Sequence, residues 1–383
     1  MRVTWAQVAA WRARRHHLVE RAPAGDMLGV VGRLGGMHAQ VMSSAELSLW
    51  ARVEGLGPED VPDALWERRT LVKTWAMRGT LHLLPSAEYP LWQAALSRYD
   101  HYEKPGWFRG FRVTKEEMDR AWAAGAEALD GDPLTRAELV EAIVAQTGSP
   151  EVGEKIASGF GSLLKPLSYR GQLCFAPNAG RNIRFTRPSR WLAGVTGPAV
   201  APDDAAREVT RRFLAAYGPA TREDYAHWWG VITPAAAGRL IAALGDEAVT
   251  VDVGGPAWPE RRRGPMSVLA ANVDDLAAAK PARSVRLLPA FDQYVISASP
   301  HAERLLPGDE LRPRIYRPQA WLSPVVAVDG RFAGVWRHEQ KGGRVTVAVE
   351  PFASLPAWAR RGVRDEAGRL AEFLGGRLDL SIS

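Results

Sequence analysis

The chain has 383 residues and a formal net charge of +6, a length that predicts two to three domains rather than one small module. No run of 18 apolar residues is present, which excludes a membrane-spanning helix, and the single Cys174 excludes an internal disulfide and a cysteine-rich zinc site. The N-terminal residues lack the apolar region of a signal peptide, so we expect a cytoplasmic protein with access to the nucleoid. Arg far outnumbers Lys, a composition that suits DNA binding but also follows from a GC-rich genome.

Helix starts recur along the chain. A Thr followed three residues later by an acid or amide predicts a capping box, and this pattern occurs at Thr4–Gln7, Thr135–Glu138 and Thr221–Asp224. The second and third copies also resemble each other over residues 133–139 and 219–225. Because such a start commonly opens a helix-turn-helix, the repeats predict tandem DNA-binding modules.

A polar pair, His38 and Gln40, follows Gly35-Gly36 and precedes a further start pattern at residues 43–46. Glycines before the pair and a cap after it favour a non-helical stretch. In an extended segment residues i and i+2 share a face, whereas in a helix they point about 200° apart. The spacing therefore predicts two side chains able to hold one water molecule.

The next pattern is a β-hairpin. Two β-rich runs, 71–77 and 80–84, flank a tight turn at Arg78-Gly79, which predicts the wing of a first winged helix. Arg78 is a candidate phosphate contact. His82 on the same hairpin is a candidate DNA contact, with packing as the alternative.

The second copy predicts a helix from Thr135, a loop at 148–150, a second helix through Phe160 to Leu167 and a strand at 172–177. The third copy predicts a further helix from Thr233-Pro234. Core packing is expected for four tryptophans that could otherwise stack on bases: Trp75, Trp228, Trp229 and Trp336.

Beyond residue 248 the pattern changes to strands, at 249–253, 285–289, 323–328, 331–337 and 344–349, before a final helix at 358–373. Asp329-Gly330 is a strong hairpin-turn signal, and Gly342-Gly343 predicts the next turn. Arg337 and Lys341, in the second hairpin, are candidate DNA contacts. The basic run at 261–263 is either a phosphate contact or a solvated loop.

These patterns predict an α+β fold of tandem winged helices with a C-terminal β-rich element. The expected regions are 1–125, which carries the candidate catalytic motif, 126–200, 201–250 and 251–383.

The whole chain resembles the AlkZ/YcaQ family of winged-helix DNA glycosylases. The matching motifs are spread from end to end and lie at residues 35–40, 74–83, 218–221, 287–294, 334–337 and 341–345. The resemblance implies a C-shaped monomer around a DNA channel, and no cofactor or metal. It implies hydrolysis of the N-glycosidic bond of alkylated purines in double-stranded DNA, including bulky N7-guanine adducts and, in some members, crosslinks.

The family's catalytic motif is Gln-x-Gln or Gln-x-Asp, and the equivalent positions here are His38 and Gln40. The His-x-Gln form resembles a subgroup found beside the biosynthesis of DNA-intercalating guanine alkylators. That likeness implies self-resistance, a form of antibiotic resistance in the producer.

The chemistry suits these residue types. An N7-alkylguanine already carries positive charge, so its departure needs little protonation; what remains is to hold a water near C1′ and stabilise an oxocarbenium-like sugar. A neutral imidazole can accept the water's proton, and an amide can orient that water. Two alternatives stay open: a non-catalytic winged-helix regulator, and an adduct binder that sequesters without cleavage.

Overall fold

The computed structural model describes residues 1–158, 161–194, 200–254 and 265–383. They form two compact units. The terminal unit comprises Met1–Asp60, Thr210–Trp228 and Ile232–Ser383, and the middle unit comprises Val61–Val209 and Trp229–Val231. Both ends of the chain thus belong to one unit, a partition that crosses the four regions expected from the sequence. The four-region division stays a prediction.

The α-helices of the described residues are, in chain order, α1 Trp5–Arg15, α2 Met27–Arg33, α3 Met42–Trp50, α4 Asp60–Pro62, α5 Tyr89–Leu96, α6 Pro105–Phe111, α7 Lys115–Ala128, α8 Arg136–Thr147, α9 Pro150–Ser158, α10 Lys165–Tyr169, α11 Pro188–Trp191, α12 Pro202–Tyr217, α13 Arg222–Trp229, α14 Pro234–Ala242, α15 Val273–Ala278, α16 Gln293–Ala298, α17 Arg312–Ile315 and α18 Ala357–Phe373.

The strands of these residues are β1 Arg2–Thr4, β2 Met37–His38, β3 Leu71–Trp75, β4 Leu81–Pro85, β5 Leu134–Thr135, β6 Cys174–Ala179, β7 Asn182–Thr186, β8 Ala248–Gly254, β9 Met266–Leu269, β10 Val285–Leu288, β11 Val325–Val328, β12 Arg331–Lys341, β13 Arg344–Pro351 and β14 Arg377–Ile382. The fold is therefore a mixed α+β fold, as the sequence predicted.

The main sheet of the terminal unit has the order β10-β11-β12-β13-β14. The two hairpin turns lie where the sequence placed them. Asp329 and Gly330 have φ of 51° and 74°, the left-handed pair that a two-residue hairpin turn requires. The predicted final helix is α18, and its buried face packs on this sheet: Val363, Ala367 and Leu370 are fully buried. Strand β14, which pairs parallel with β13, was not predicted.

A second sheet of the terminal unit joins the start of the chain to the two strands within residues 248–269. Strand β1 pairs parallel with β8, Val3 opposite Val253, and β8 pairs antiparallel with β9. The sequence placed α1 at the start of the chain and missed β1, because three residues carry no detectable period. The Thr4 capping box that opens α1 is confirmed, since Thr4 and Gln7 bond each other's backbone N–H.

The other predicted caps are also present. Thr135 and Glu138 form the box that opens α8, and Thr221 and Asp224 exchange the equivalent bonds at α13. A fourth box, Thr114 with Glu117 at α7, was not predicted. These starts depend on residues three apart, which is why the local sequence shows them.

In the middle unit, β3 and β4 form the predicted hairpin, Thr74 opposite His82. Strands β6 and β7 form a second hairpin, to which β5 adds. The helix predicted through Phe160 to Leu167 is different: α9 ends at Ser158, a turn covers 161–164 and α10 begins at Lys165. Phe160 itself, like the basic run 261–263, lies outside the described residues. The glycine at 161, with φ of 76°, explains why one helix could not continue.

No helix among the described residues is both long and apolar enough to cross a membrane.

Candidate active site

The His38–Gln40 segment lies between α2 and α3. Helix α2 ends in a Schellman motif, in which Gly36 N–H donates to Val31 O at 2.9 Å and Gly35 N–H donates to Gly32 O at 3.1 Å. Both glycines have positive φ, 69° and 94°, and at Gly35, the first residue past the helix cap, this is the left-handed conformation that such an ending requires. The double glycine therefore reverses the chain and delivers His38 into the short strand β2.

The segment is non-helical, as predicted. The prediction that a cap at residues 43–46 starts the next helix is wrong. Helix α3 begins at Met42, with Val41 as N-cap and no side-chain cap. Ser43 and Ser44 are thus helical residues and not the cap expected from the pattern. The extended backbone of Val41, φ −116° and ψ 112°, carries the non-helical stretch up to the helix.

The two polar side chains of the motif have different environments. His38 is 6% exposed, whereas Gln40 is exposed. The neighbouring Met37 and Ala39 are fully buried and anchor the segment. The imidazole is thereby held in a fixed place while the amide faces solvent.

The His38 ring stacks on Phe291, with centroids 5.7 Å apart and planes 25° apart. Phe291 has φ of 57°, a conformation that a bulky residue adopts only when its surroundings impose it. Phe291 belongs to the motif at 287–294, so the structure brings together two of the stretches that carried the family resemblance.

A buried ion pair lies directly beside Phe291. Arg52, two residues beyond α3, donates from both Nη1 and Nη2 to the two carboxylate oxygens of Asp292, each at 2.7 Å. Both side chains are 0% exposed. Asp292 also caps α16 by accepting from Tyr294 N–H at 2.9 Å. The residue next to Phe291 is therefore tied to the chain that follows His38.

Tyr294 completes this support. Its hydroxyl donates to Gly330 O at 2.7 Å, and burial raises the pKa of the phenol. The buried His16 contacts the Tyr294 ring edge-on at 5.1 Å. These groups are structural, because the Tyr294 and His16 side chains are at most 2% exposed and have almost no surface to offer a substrate.

One aromatic residue near the motif was not predicted. Trp321 packs edge-on against Phe291 at 4.9 Å and is 50% exposed, so it lies two ring contacts from His38. The available signal was the segment 311–328, which contains three Arg and no acidic residue. By contrast Trp75, Trp228, Trp229 and Trp336 are at most 4% exposed, which confirms core packing for them.

The middle unit holds the other two residues predicted near its hairpin. Arg78 lies in the turn between β3 and β4 with φ of 57°. His82 is 0% exposed, and its ring nitrogens lie 3.1 Å from Thr80 O and 3.4 Å from Arg78 Nη2. A ring with no exposed surface packs within the hairpin, which is the alternative given for His82, and does not make the expected direct contact with DNA.

Arg337 and Lys341 lie on β12 and are both exposed. Arg337 pairs with Glu350 at 2.8 Å. Lys341 is at the tip of the second hairpin, opposite Arg344, beside the Gly342-Gly343 turn. Lys341 therefore lies at the hairpin end of strand β12, whereas Arg337 lies further along the same strand.

Within the described ranges, no three His, Cys, Asp or Glu side chains come together as a metal site.

Comparison with known proteins identifies the class. Residues 31–373 match the family model described as "DNA glycosylase AlkZ-like". The chain belongs to this family of DNA glycosylases, which confirms the resemblance predicted from the motifs.

The chain is 37% identical over 385 aligned positions to the "Interstrand DNA cross-link repair glycosylase" of Streptomyces sahachiroi, covering 100% of both sequences. It is also similar to the solved structure titled "Streptomyces sahachiroi DNA glycosylase AlkZ", with a TM-score of 0.88 and 36% identity over 100% of both chains. The mixed α+β fold is thus shared along its full length.

Proposed function

We propose that this protein is a monofunctional DNA glycosylase that removes bulky N7-alkylguanine adducts, interstrand crosslinks among them, and leaves an abasic site. The observation that carries the proposal is the motif segment: a His-x-Gln pair held non-helically, with His38 on Phe291 and Gln40 open to solvent. The full-length likeness to a glycosylase named for interstrand cross-link repair supports the substrate class.

The proposed reaction is a hydrolysis. The bond from C1′ to N9 breaks and its electron pair moves to N9, which neutralises the cationic purine. The oxygen of a water molecule bonds to C1′, and His38 takes the proton that the water loses. Gln40 accepts from and donates to that water and so orients it.

The rest of the site supplies position rather than chemistry. Packing on Phe291 restricts the imidazole, and the Arg52–Asp292 pair holds Phe291. General-base groups contribute about 10²–10⁴-fold to a rate only when they are placed within hydrogen-bond reach of the proton. A buried, doubly hydrogen-bonded support of this kind serves that placement.

The proposed partner is double-stranded DNA. The proposed architecture is a monomer whose tandem winged helices curve around the DNA. Arg78, Arg337 and Lys341 are the proposed phosphate contacts, and His82 positions Arg78. The His-x-Gln form supports a role in self-resistance to a genotoxic natural product, acting on the nucleoid in the cytoplasm.

The test is an excision assay. Purified protein is incubated with a duplex carrying one N7-alkylguanine, either simple or bulky and intercalated, and abasic sites are revealed by strand cleavage in mild base. We expect the native protein to cleave. His38→Ala and Gln40→Ala should each lower the single-turnover rate at least about 100-fold while retaining binding to undamaged duplex.

His17→Ala is the matched control, because this histidine is outside the motif, and it should excise at the native rate. Equal excision by the native, His38→Ala and Gln40→Ala proteins would refute the motif assignment. No excision of any adduct, together with tight binding to one undamaged sequence, would identify a regulator instead.

A further inference from the structure

A groove of about 490 Å³ opens on the terminal unit beside the exposed Trp321. We call it the Trp321 groove. Its lining is both aromatic and cationic, and the residues that carry the argument are Arg314, Arg317, Trp321, Arg337 and Glu350. The volume falls in the range of about 300–1,000 Å³ that is usual for small-ligand sites.

The charges of the groove favour an anion. Arg314 and Arg337 both pair with the one lining carboxylate, Glu350, at 2.6 and 2.8 Å. Arg317 is exposed and, within the part of the chain that the structure describes, pairs with no carboxylate. Three guanidinium groups thus face one carboxylate, and Arg317 is available for a phosphate.

The loop that carries Trp321 is built to present it. Gln319 and Ala320 have φ of 59° and 57°, two successive non-glycine residues in the disfavoured left-handed region. The loop is closed because Arg317 N–H donates to Trp321 O at 2.8 Å. Strained backbone persists where surrounding bonds impose it, and here its result is a half-exposed indole, which is a costly group to leave in water.

The groove is connected to the candidate active site. The edge of Trp321 meets Phe291 at 4.9 Å, and Phe291 in turn stacks on His38. A flat ring placed on Trp321 would therefore lie beside the residues that hold the imidazole.

We propose that the Trp321 groove binds one unstacked nucleotide of the DNA strand, with its base on the Trp321 indole and its phosphate on Arg317. The inference rests on the proposed glycosylase function and deepens it by naming how the strand is held next to His38. Base–aromatic stacking with guanidinium–phosphate contacts is the general chemistry of single-strand binding and does not depend on sequence. A purely aromatic adduct would need the indole but would leave Arg317 without an anionic partner.

The test compares two DNA probes that carry no lesion. One is a fluorescein-labelled 12-nucleotide single strand, and the other is the same sequence fully paired. Binding by the full-length protein is measured by anisotropy over a series of salt concentrations. The variants are Trp321→Ala, Trp321→Phe and Arg317→Gln, with Arg360→Gln as a control for the loss of one exposed Arg from the same unit.

Trp321→Ala should weaken single-strand binding by about 5- to 150-fold, the range found when one base–aromatic stack is removed. Trp321→Phe should recover most of this loss because it keeps a flat ring. Arg317→Gln should reduce the slope of log affinity against log salt by about 0.7, and Arg360→Gln should leave the single-strand slope unchanged. On the paired probe, Trp321→Ala should change binding less than twofold.

Equal single-strand binding by native protein and Trp321→Ala would overturn the groove assignment, and so would an equal loss on the paired probe. The excision assay separates this failure from that of the proposed function. If the native protein excises while Trp321→Ala binds normally, only the groove is wrong; if single-strand binding falls as expected and nothing is excised, only the glycosylase assignment is wrong.

Discussion

Asp292→Asn should destabilise the terminal unit strongly, although it changes one atom. The native carboxylate accepts both Arg52 guanidinium bonds, each at 2.7 Å, and neither side chain is exposed to water. Asparagine keeps one oxygen to accept from the Tyr294 N–H, but its NH2 group is a donor and would face a guanidinium N–H of Arg52, which is also a donor. The Arg52 charge then stays buried without a counter-charge.

The expected cost follows from that burial. Removing one partner of a buried pair costs about 3–5 kcal/mol, because the remaining charge cannot be hydrated. For a chain of 383 residues, this corresponds to a fall in the unfolding midpoint of about 4–6 °C. Phe291, next to Asp292, would lose its imposed backbone conformation, so excision should fall together with stability.

Circular dichroism melts of the native, Asp292→Asn and Arg52→Met/Asp292→Leu proteins measure the effect. The double variant removes both charges and fills the space with apolar groups, so it should melt above Asp292→Asn. A midpoint of Asp292→Asn within 1 °C of the native value would refute the reasoning.

Three further predictions concern other parts of the molecule. Burial, with the neighbouring Arg52 and Arg12 charges, lowers the pKa of His16 well below its usual value. The unfolded chain therefore binds the proton more readily than the folded protein does. The stabilisation that neutral His16 gives the folded protein is present above about pH 6.5 and is lost as the pH falls below it. In urea unfolding, the free energy of unfolding of the native protein should fall by up to about 1.4 kcal/mol more per pH unit below 6.5 than that of His16→Gln. Equal falls in the two proteins would contradict this. Gly230→Ala should destabilise the middle unit by more than Gly148→Ala does, because both have positive φ but only at Gly230 would a Cβ meet Arg78, 2.6 Å from its Cα; equal melting points would show that the turn yields. Lys341→Ala should lower affinity for undamaged duplex uniformly across sequences and reduce the salt slope by about 0.9, while Arg337→Ala should do less because Glu350 already pairs with it; a slope unchanged by Lys341→Ala in anisotropy titrations would remove it from the DNA interface.

Local chemistry made much of the fold predictable. Thr4, Thr135 and Thr221 mark helix starts because a capping box needs only four consecutive residues. Asp329-Gly330 marks a hairpin because few other residue pairs adopt the required backbone angles. Along α18, the apolar residues recur with the helical period and identify the buried face.

Pairings between distant residues could not be predicted in this way. Nothing near residue 2 indicates that β1 pairs with β8, and nothing near Arg52 indicates Asp292, 240 positions away. The predicted cap at Ser43 was wrong for a related reason. The helix α3 begins after Val41 and buries Ala45, so tertiary packing outweighs a weak local signal.

The candidate site was predictable in part. The motif pair and its non-helical setting followed from the glycines at 35 and 36. The stack of His38 on Phe291 did not, since the two residues lie in different motifs with no visible link. Trp321 was missed because an exposed tryptophan has no periodic pattern to mark it.

The distance along the chain between His38 and its support has a consequence for synthesis. The motif is synthesised early, and Phe291 and Asp292 follow about 250 residues later. At usual rates of translation, the delay between the two is on the order of 10–50 s. Until then His38 has no ring to stack on and Arg52 has no carboxylate. A chain cut short before residue 291 therefore carries the motif without the packing that holds it, so the site can form only after residues 291 and 292 have been synthesised.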